Sequence, residues 1–147
     1  MKKIIPFLDL RIGEEERKEI IQSIETVFQH GKIILGPEVT ELENTVANFC
    51  GRSFGVGVSS GTDAIFLALK AIGIGAGDEV ITTSLSWIAT TNAIALTGAT
   101  PVFVDIGNDL NIDATKIEEC ITPATKAVLP VHYTGKVCNM ALLMQIS

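Results

Sequence analysis

The sequence predicts an α/β fold: a mostly parallel sheet with helices on its faces. Three observations carry this. Short apolar runs alternate with amphipathic or apolar stretches of helical length from residue 54 onward. The runs Val80-Ile81-Thr82-Thr83, Val102-Phe103-Val104-Asp105 and Ala127-Val128-Leu129-Pro130-Val131 are nearly continuous in apolar residues, as strands buried on both faces are. Gly, Asn, Asp and Pro fall between the segments, where turns and helix ends need them. Such alternation is the signature of βαβ units.

Two helices are predicted before any strand. Residues 14–30 place Ile20, Ile24, Val27 and Phe28 at helical spacing, with Glu14, Glu15 and Glu16 at the positive end and Gly31 as the stop. The second opens at Gly36-Pro37, with proline in the first turn, and ends at Gly51; Val39, Leu42, Val46 and Phe49 share one face. Then come a strand at Phe54–Ser59, a helix at Thr62–Ile72 and a strand at Glu79–Thr83. A helix at Ile88–Leu96 closed by Gly98 and a strand at Pro101–Ile106 follow. A helix at Ala114–Ile121 capped by Asp113, a strand at Lys126–Val131 and a helix from Asn139 complete the order. The division this implies is a helical segment over 1–52 and a partial α/β domain over 53–147. The chain stops in mid-pattern at Leu142-Leu143-Met144-Gln145-Ile146-Ser147, with no closing Gly, Asn or Pro. A natural domain can also end on a helix, so this ending fits a complete domain as well as a truncated one.

Composition narrows the function. The 147 residues are 47 % hydrophobic and 19 % charged, enough for a core, with a net charge of −6. The basic residues Lys2, Lys3, Arg11, Arg17 and Lys18 are only loosely grouped, and no basic patch points to nucleic acid. Cys50, Cys120 and Cys138 are odd in number and widely spaced, which speaks for reduced thiols rather than a disulfide framework or zinc site. Pro6 and Asp9 interrupt the apolar start too early for a signal peptide, and no run reaches membrane-spanning length. No metal site is expected, since His30 and His132 lie far apart in the chain.

The richest chemistry lies at Ser59-Ser60-Gly61-Thr62-Asp63-Ala64, where a strand hands over to a helix. Ligands of open parallel sheets bind outside the carboxyl ends of strands, and a helix N-terminus there offers free N–H groups and a positive dipole end to a phosphate. Gly61 permits close backbone approach and Thr62 adds a hydroxyl. Ordinary N-capping by serine or threonine is the competing reading. The carboxylate of Asp63 would repel a phosphate unless it points aside. The helix behind the turn is apolar nearly all round, which predicts burial. Gly55-x-Gly57-x-x-x-Gly61 differs in spacing from a dinucleotide fingerprint, and Asp78-Glu79 precedes the strand that a ribose-binding acid should follow.

Trp87 follows the second strand at the same predicted edge, as a stacking face or a packing residue. His132 ends the fourth strand and reads as a polar packing or supporting histidine rather than a general base. His30 complements a helix end. Asp105, Asp109 and Asp113 take turn and cap roles. Lys136 has no apolar sequence around it to lower its pKa, so it reads as a surface lysine rather than a Schiff-base amine.

Taken together, the segments resemble the DegT/StrS family of pyridoxal-phosphate (PLP)-dependent sugar aminotransferases, of the fold-type I architecture. The matching stretches run in family order through the chain: Ile5-Pro6-Phe7-Leu8-Asp9-Leu10, Gly36-Pro37-Glu38-Val39, Ser60-Gly61-Thr62-Asp63-Ala64 and Gly77-Asp78-Glu79-Val80-Ile81. Ser86-Trp87-Ile88-Ala89-Thr90, Pro101-Val102-Phe103-Val104-Asp105-Ile106, Asn111-Ile112-Asp113 and Thr125-Lys126-Ala127-Val128-Leu129-Pro130-Val131-His132 follow. The resemblance implies that Gly61, Thr62 and Asp63 form the turn that binds the PLP phosphate, and that Trp87 stacks on the pyridine ring. It implies a cytoplasmic homodimer that moves an amino group, typically from glutamate, to a nucleotide-linked keto-sugar. The family's pyridine-pairing aspartate, Schiff-base lysine and second phosphate-binding serine have no counterpart in these 147 residues, and a typical member is more than twice as long. The resemblance therefore implies an N-terminal portion of the large domain, inactive alone, with no catalytic residue in the chain. A sugar dehydratase of the same fold, with histidine in place of the lysine, and a non-catalytic truncated homologue are the alternatives.

Overall fold

A computed structural model describes Pro6 and residues 9–146. Lys2, Lys3, Ile5, Phe7, Leu8 and Ser147 lie outside the described residues, and with them part of the first family-like stretch. The chain divides into two compact units, one up to Gly57 and one from Val58.

The first unit holds α1 (Glu14–His30) and α2 (Pro37–Phe49). Both match the sequence expectation closely. Glu14, Glu15 and Glu16 occupy the first turn of α1, and Gly31 ends it in the left-handed region at φ 70°. His30 Nε2 lies 2.8 Å from Glu38 Oε1, and that hydrogen bond holds the Glu38 carboxyl below the usual carboxylate range. The expected strand at Phe54–Ser59 is absent: residues 54–58 form no ladder. Their alternation is strand-like, but a strand needs a paired neighbour. Gly55 instead lies against α2, where a Cβ would collide with the Glu43 carbonyl oxygen. The Gly57 N–H donates to Glu43 Oε1 at 2.6 Å.

The second unit contains α3 (Gly61–Ala71), β1 (Glu79–Thr83), α4 (Ile88–Leu96), β2 (Thr100–Val104), β3 (Thr125–Leu129) and α5 (Met140–Ile146). The sheet is parallel with order β2-β1-β3. Ile81 stands opposite Val102 on one side and Val128 on the other. A bulge beside Glu79 leaves Lys126 outside the register. The Glu79 carboxylate accepts from the Thr122 hydroxyl at 2.6 Å and from the Thr125 hydroxyl at 3.3 Å, which pins the start of β3 to the start of β1.

Alternation along β1 separates two cores. Val80 packs with Leu69 of α3, Ile74, Ile94 of α4 and Ala99. Ile81 packs on the other face with Val104, Ile112, Ala114, Ile117, Cys138 and Leu143 of α5. β1 is thus sandwiched between helical layers, and Val80, Ile81, Thr82 and Thr83 are all buried. Burial on both faces holds fully only for β1; β2 and β3 are edge strands with partly exposed residues.

Three further expectations are corrected. The helix predicted over Ala114–Ile121 is two 3₁₀ turns, Ala114–Lys116 and Glu118–Cys120. Asp113 does cap the first, accepting from the Thr115 N–H at 3.1 Å. Its carboxylate also takes the Thr115 hydroxyl, a bond that, ahead of nearby Lys116, holds the acid below its usual range. The cap favours a helical start, but the run is interrupted at Ile117, which ends the first turn and opens the second. Ile106 is not part of β2 but pairs singly with Ile112, closing the Gly107–Asn111 turn. The third concerns α3, which is buried only at Leu69. Its Ala64 and Ala68, with Ile72 just beyond its end, line an open apolar groove of about 440 Å³ along the edge of β3.

Ile81→Ala should cost about 2–5 kcal/mol, the usual range for a fully buried aliphatic, read as a lower urea midpoint; Phe103→Ala, half-exposed on an edge strand, should cost much less. Cysteine labelling gives a second check. Burial, with a smaller contribution from the Asp109 charge, pushes the Cys138 thiol up. Cys50 is exposed, so it should label rapidly at neutral pH, and Cys138 only on unfolding. Because the Cys138 value is raised in the folded state, its stabilising contribution is complete below the ordinary thiol pKa. It is lost as pH rises through the raised value.

Candidate functional site

The residues singled out from the sequence converge on one edge of the second unit. α3 runs from Gly61 to Ala71, and Ile72–Asp78 then turns into β1. The C-terminal end of α3 therefore lies near the start of β1. Its length of about 16 Å carries Gly61 and Thr62 back to the carboxyl edge of the sheet. Trp87 follows β1 as the N-cap residue of α4. His132 follows β3 by three residues. The connection after β1 packs α4 on the α3 face, whereas the connection after β3 packs α5 on the opposite face. Neighbouring parallel strands whose connections leave to opposite faces open a crevice at their carboxyl ends, where ligands of such sheets bind.

The turn before α3 is organised by serine and aspartate. Ser60 is the N-cap, its hydroxyl oxygen accepting from the Asp63 N–H at 3.1 Å. The Asp63 carboxylate accepts from the hydroxyls of both Ser59 and Ser60. The polar groups of Asp63 are consequently engaged within the turn, and its charge is turned toward the serines. Gly61 and Thr62 differ. Neither the two N–H groups nor the Thr62 hydroxyl has a hydrogen-bond partner among the described residues. A Cβ on Gly61 would meet nothing within 4 Å, so the approach to these donors is open. Free donors at the positive end of a helix suit an anion, above all one with several acceptor oxygens.

Trp87 is 80 % exposed, so its ring is available to a ligand rather than consumed in the core. Its backbone is fixed nonetheless: its carbonyl accepts from the Thr90 N–H at 3.0 Å, and the Ser86 and Thr90 hydroxyls lie 2.8 Å apart. Of the lysines in the described part of the second unit, Lys70 lies in the last turn of α3, Lys116 follows Asp113, and Lys126 opens β3. Lys136 alone follows a strand at the carboxyl edge, and it is exposed.

Two contributors escaped sequence reading. Ser59 is a second hydroxyl on Asp63, signalled only by the Ser-Ser-Gly-Thr-Asp run itself. Asn111 is 1 % exposed and stitches the turn after β2 to the loop after β3. Its Oδ1 accepts from the Tyr133 N–H at 3.0 Å, and its Nδ2 donates to the Lys136 carbonyl at 3.2 Å. In sequence Asn111 looks like one more turn residue. Among the described residues no cluster of His, Cys, Asp and Glu could hold a metal ion, and no helix is long and apolar enough to cross a membrane.

The whole described chain beyond the first residues has known relatives. The "Spore coat polysaccharide biosynthesis protein SpsC" of Bacillus subtilis strain 168 is 46 % identical over 144 residues, covering 97 % of this chain and 36 % of the relative. The dTDP-3-amino-3,6-dideoxy-alpha-D-galactopyranose transaminase of Aneurinibacillus thermoaerophilus is 48 % identical over 139 residues, 93 % of this chain and 38 % of the relative. Among solved structures, NtdA from Bacillus subtilis with bound cofactor PMP superposes with a TM-score of 0.93 at 39 % identity. That match covers 99 % of this chain and 34 % of NtdA. The chain spans little more than a third of the length of these proteins. Residues 14–147 match the model of the DegT/DnrJ/EryC1/StrS aminotransferase family, and the chain belongs to that family.

Proposed function

We propose that this chain forms the cofactor-phosphate side of a PLP-dependent aminotransferase acting on a nucleotide-linked keto-sugar, with glutamate as amino donor. The observation that carries the reading is the pair of unpartnered N–H groups at Gly61 and Thr62, with the free Thr62 hydroxyl, at a helix N-terminus on the carboxyl edge of the sheet. Three donors at a positive helix end fit a phosphate ester. The exposed ring of Trp87 on the adjacent connection fits a flat heteroaromatic partner.

Each residue then has a separate task. Gly61 lets the phosphate approach the backbone, and Thr62 binds it through N–H and hydroxyl. Asp63 rigidifies the turn through Ser59 and Ser60, and Trp87 fixes the plane of the ring. PLP held there would supply the electron sink that transamination requires. A Schiff-base lysine is a separate requirement. Lys136 is exposed in a loop rather than enclosed in an apolar pocket. The 147 residues alone hold the cofactor without a covalent link and do not transaminate. Homodimeric assembly and a cytoplasmic setting belong to the same reading, through the family.

Titration of the chain with PLP, followed by absorbance and tryptophan quenching, tests this. Saturable binding is expected, weakened about tenfold in Thr62→Val, the scale of a lost hydrogen bond to a charged group. Trp87→Ala should weaken binding and abolish the quenching. Ser60→Ala should lower stability by about 1 kcal/mol through loss of the cap. Borohydride treatment followed by peptide mapping should find no single preferred lysine. A stoichiometric adduct on Lys136, or affinity indifferent to Thr62→Val, refutes the assignment.

A further inference from the structure

The loop after β3 is braced far more than a connector requires. The Cys138 N–H donates to His132 Nδ1 at 3.2 Å, and the Cys138 thiol donates to the Val131 carbonyl at 3.1 Å. The Gly135 N–H donates to the His132 carbonyl at 3.1 Å, and the Lys136 N–H to the Tyr133 carbonyl at 3.0 Å. Buried Asn111 adds its two bonds from outside the loop, to the Tyr133 N–H and the Lys136 carbonyl. Thr134 is held at φ 54°, a left-handed conformation uncommon for threonine. All this fixes one exposed imidazole three residues beyond the carboxyl end of β3.

The direction of one bond decides the chemistry of that ring. A ring nitrogen that accepts from a backbone N–H carries a lone pair, so in the neutral imidazole the proton sits on Nε2. Nε2 has no partner among the described residues. We propose that His132 is a hydrogen-bond donor, through Nε2–H, to an anionic oxygen of the ligand bound in the β1–β3 crevice, and not the base of the site. The proposal rests on the reading of that crevice as the ligand site. A phosphate or ring oxygen of the cofactor and a diphosphate oxygen of the nucleotide-sugar offer the same acceptor chemistry.

Two substitutions separate the donor from the brace. In His132→Asn the amide oxygen takes the place of Nδ1, so the Cys138 N–H stays paired and the Nε2 donor is lost. In His132→Gln the amide nitrogen takes the place of Nε2 and restores the donor. Long-range ¹⁵N–¹H spectra of the 147-residue chain should show the Nε2–H tautomer. Pyridoxamine 5′-phosphate and uridine diphosphate are then added separately. At least one is expected to shift the Nε2 resonance, to bind about tenfold more weakly to His132→Asn, and to bind His132→Gln nearly as the parent. The Nδ1–H tautomer overturns the proposal, as does His132→Asn binding both probes like the parent. Binding of neither probe to the parent chain overturns it together with the crevice reading. Binding of the nucleotide alone, with loss in His132→Asn, would refute the cofactor assignment and leave the donor role standing.

Discussion

Everything in the second unit depends on the burial of β1 between two unlike layers. From Val80 to Thr83 this strand has no solvent-facing residue, so its backbone groups must be paired on both sides. β2 and β3 supply that pairing in parallel. Of its two buried threonines, Thr83 accepts from the Leu85 N–H at 3.3 Å, and Thr82 is satisfied by donating to the Leu129 carbonyl at 2.8 Å. An unpaired hydroxyl there would cost more than the bond contributes. The same bond ties the outgoing end of β1 to the outgoing end of β3, where the candidate site lies. The stiffest part of the core thus sets the spacing of the two connections that carry Trp87 and His132.

Around that core, polar groups sort into those that are spent and those that are kept. Asp63, Ser59 and Ser60 satisfy one another, as do Asp113 with Thr115 and Glu79 with Thr122. Asn111 spends both ends of its amide on the loop that carries His132. Among the described residues, the groups left unpaired at the carboxyl edge include the Gly61 and Thr62 donors and His132 Nε2. Neighbours fully engaged with each other leave these few donors with a defined direction, which is the arrangement a binding site needs.

Much of this was legible in the sequence because it rests on local signals. Gly31, Pro37, Gly98 and Asp113 marked their ends and caps, and the apolar run from Val80 fixed β1 to the residue. The failures were nonlocal. Phe54–Ser59 has the composition of a strand, but the contact that decides its state is the approach of Gly55 to Glu43. Ala114–Ile121 is a local exception: its helical pattern resolves into two 3₁₀ turns, Ala114–Lys116 and Glu118–Cys120. The apolar circumference of α3 suggested burial, yet its flank beside β3 stays open. At the site, position in the alternation pointed to Gly61, Thr62 and Trp87. The state of Asp63 and the tautomer of His132 depend on hydrogen bonds that no spacing reveals.

The two margins of the sheet are chemically unequal. Pro101 deprives the outer side of β2 of one amide donor, a common way of keeping a margin from recruiting another strand. β3 has no proline, only the bulge and Lys126 at its start, and grooves flank it on both faces, one beside α3 and one beside Ile121 and Ile146. The sheet therefore has a polarity of growth. A strand added to it, whatever chain it comes from, would lengthen the sheet on the side of β3 and bring its own carboxyl or amino end level with the His132 loop.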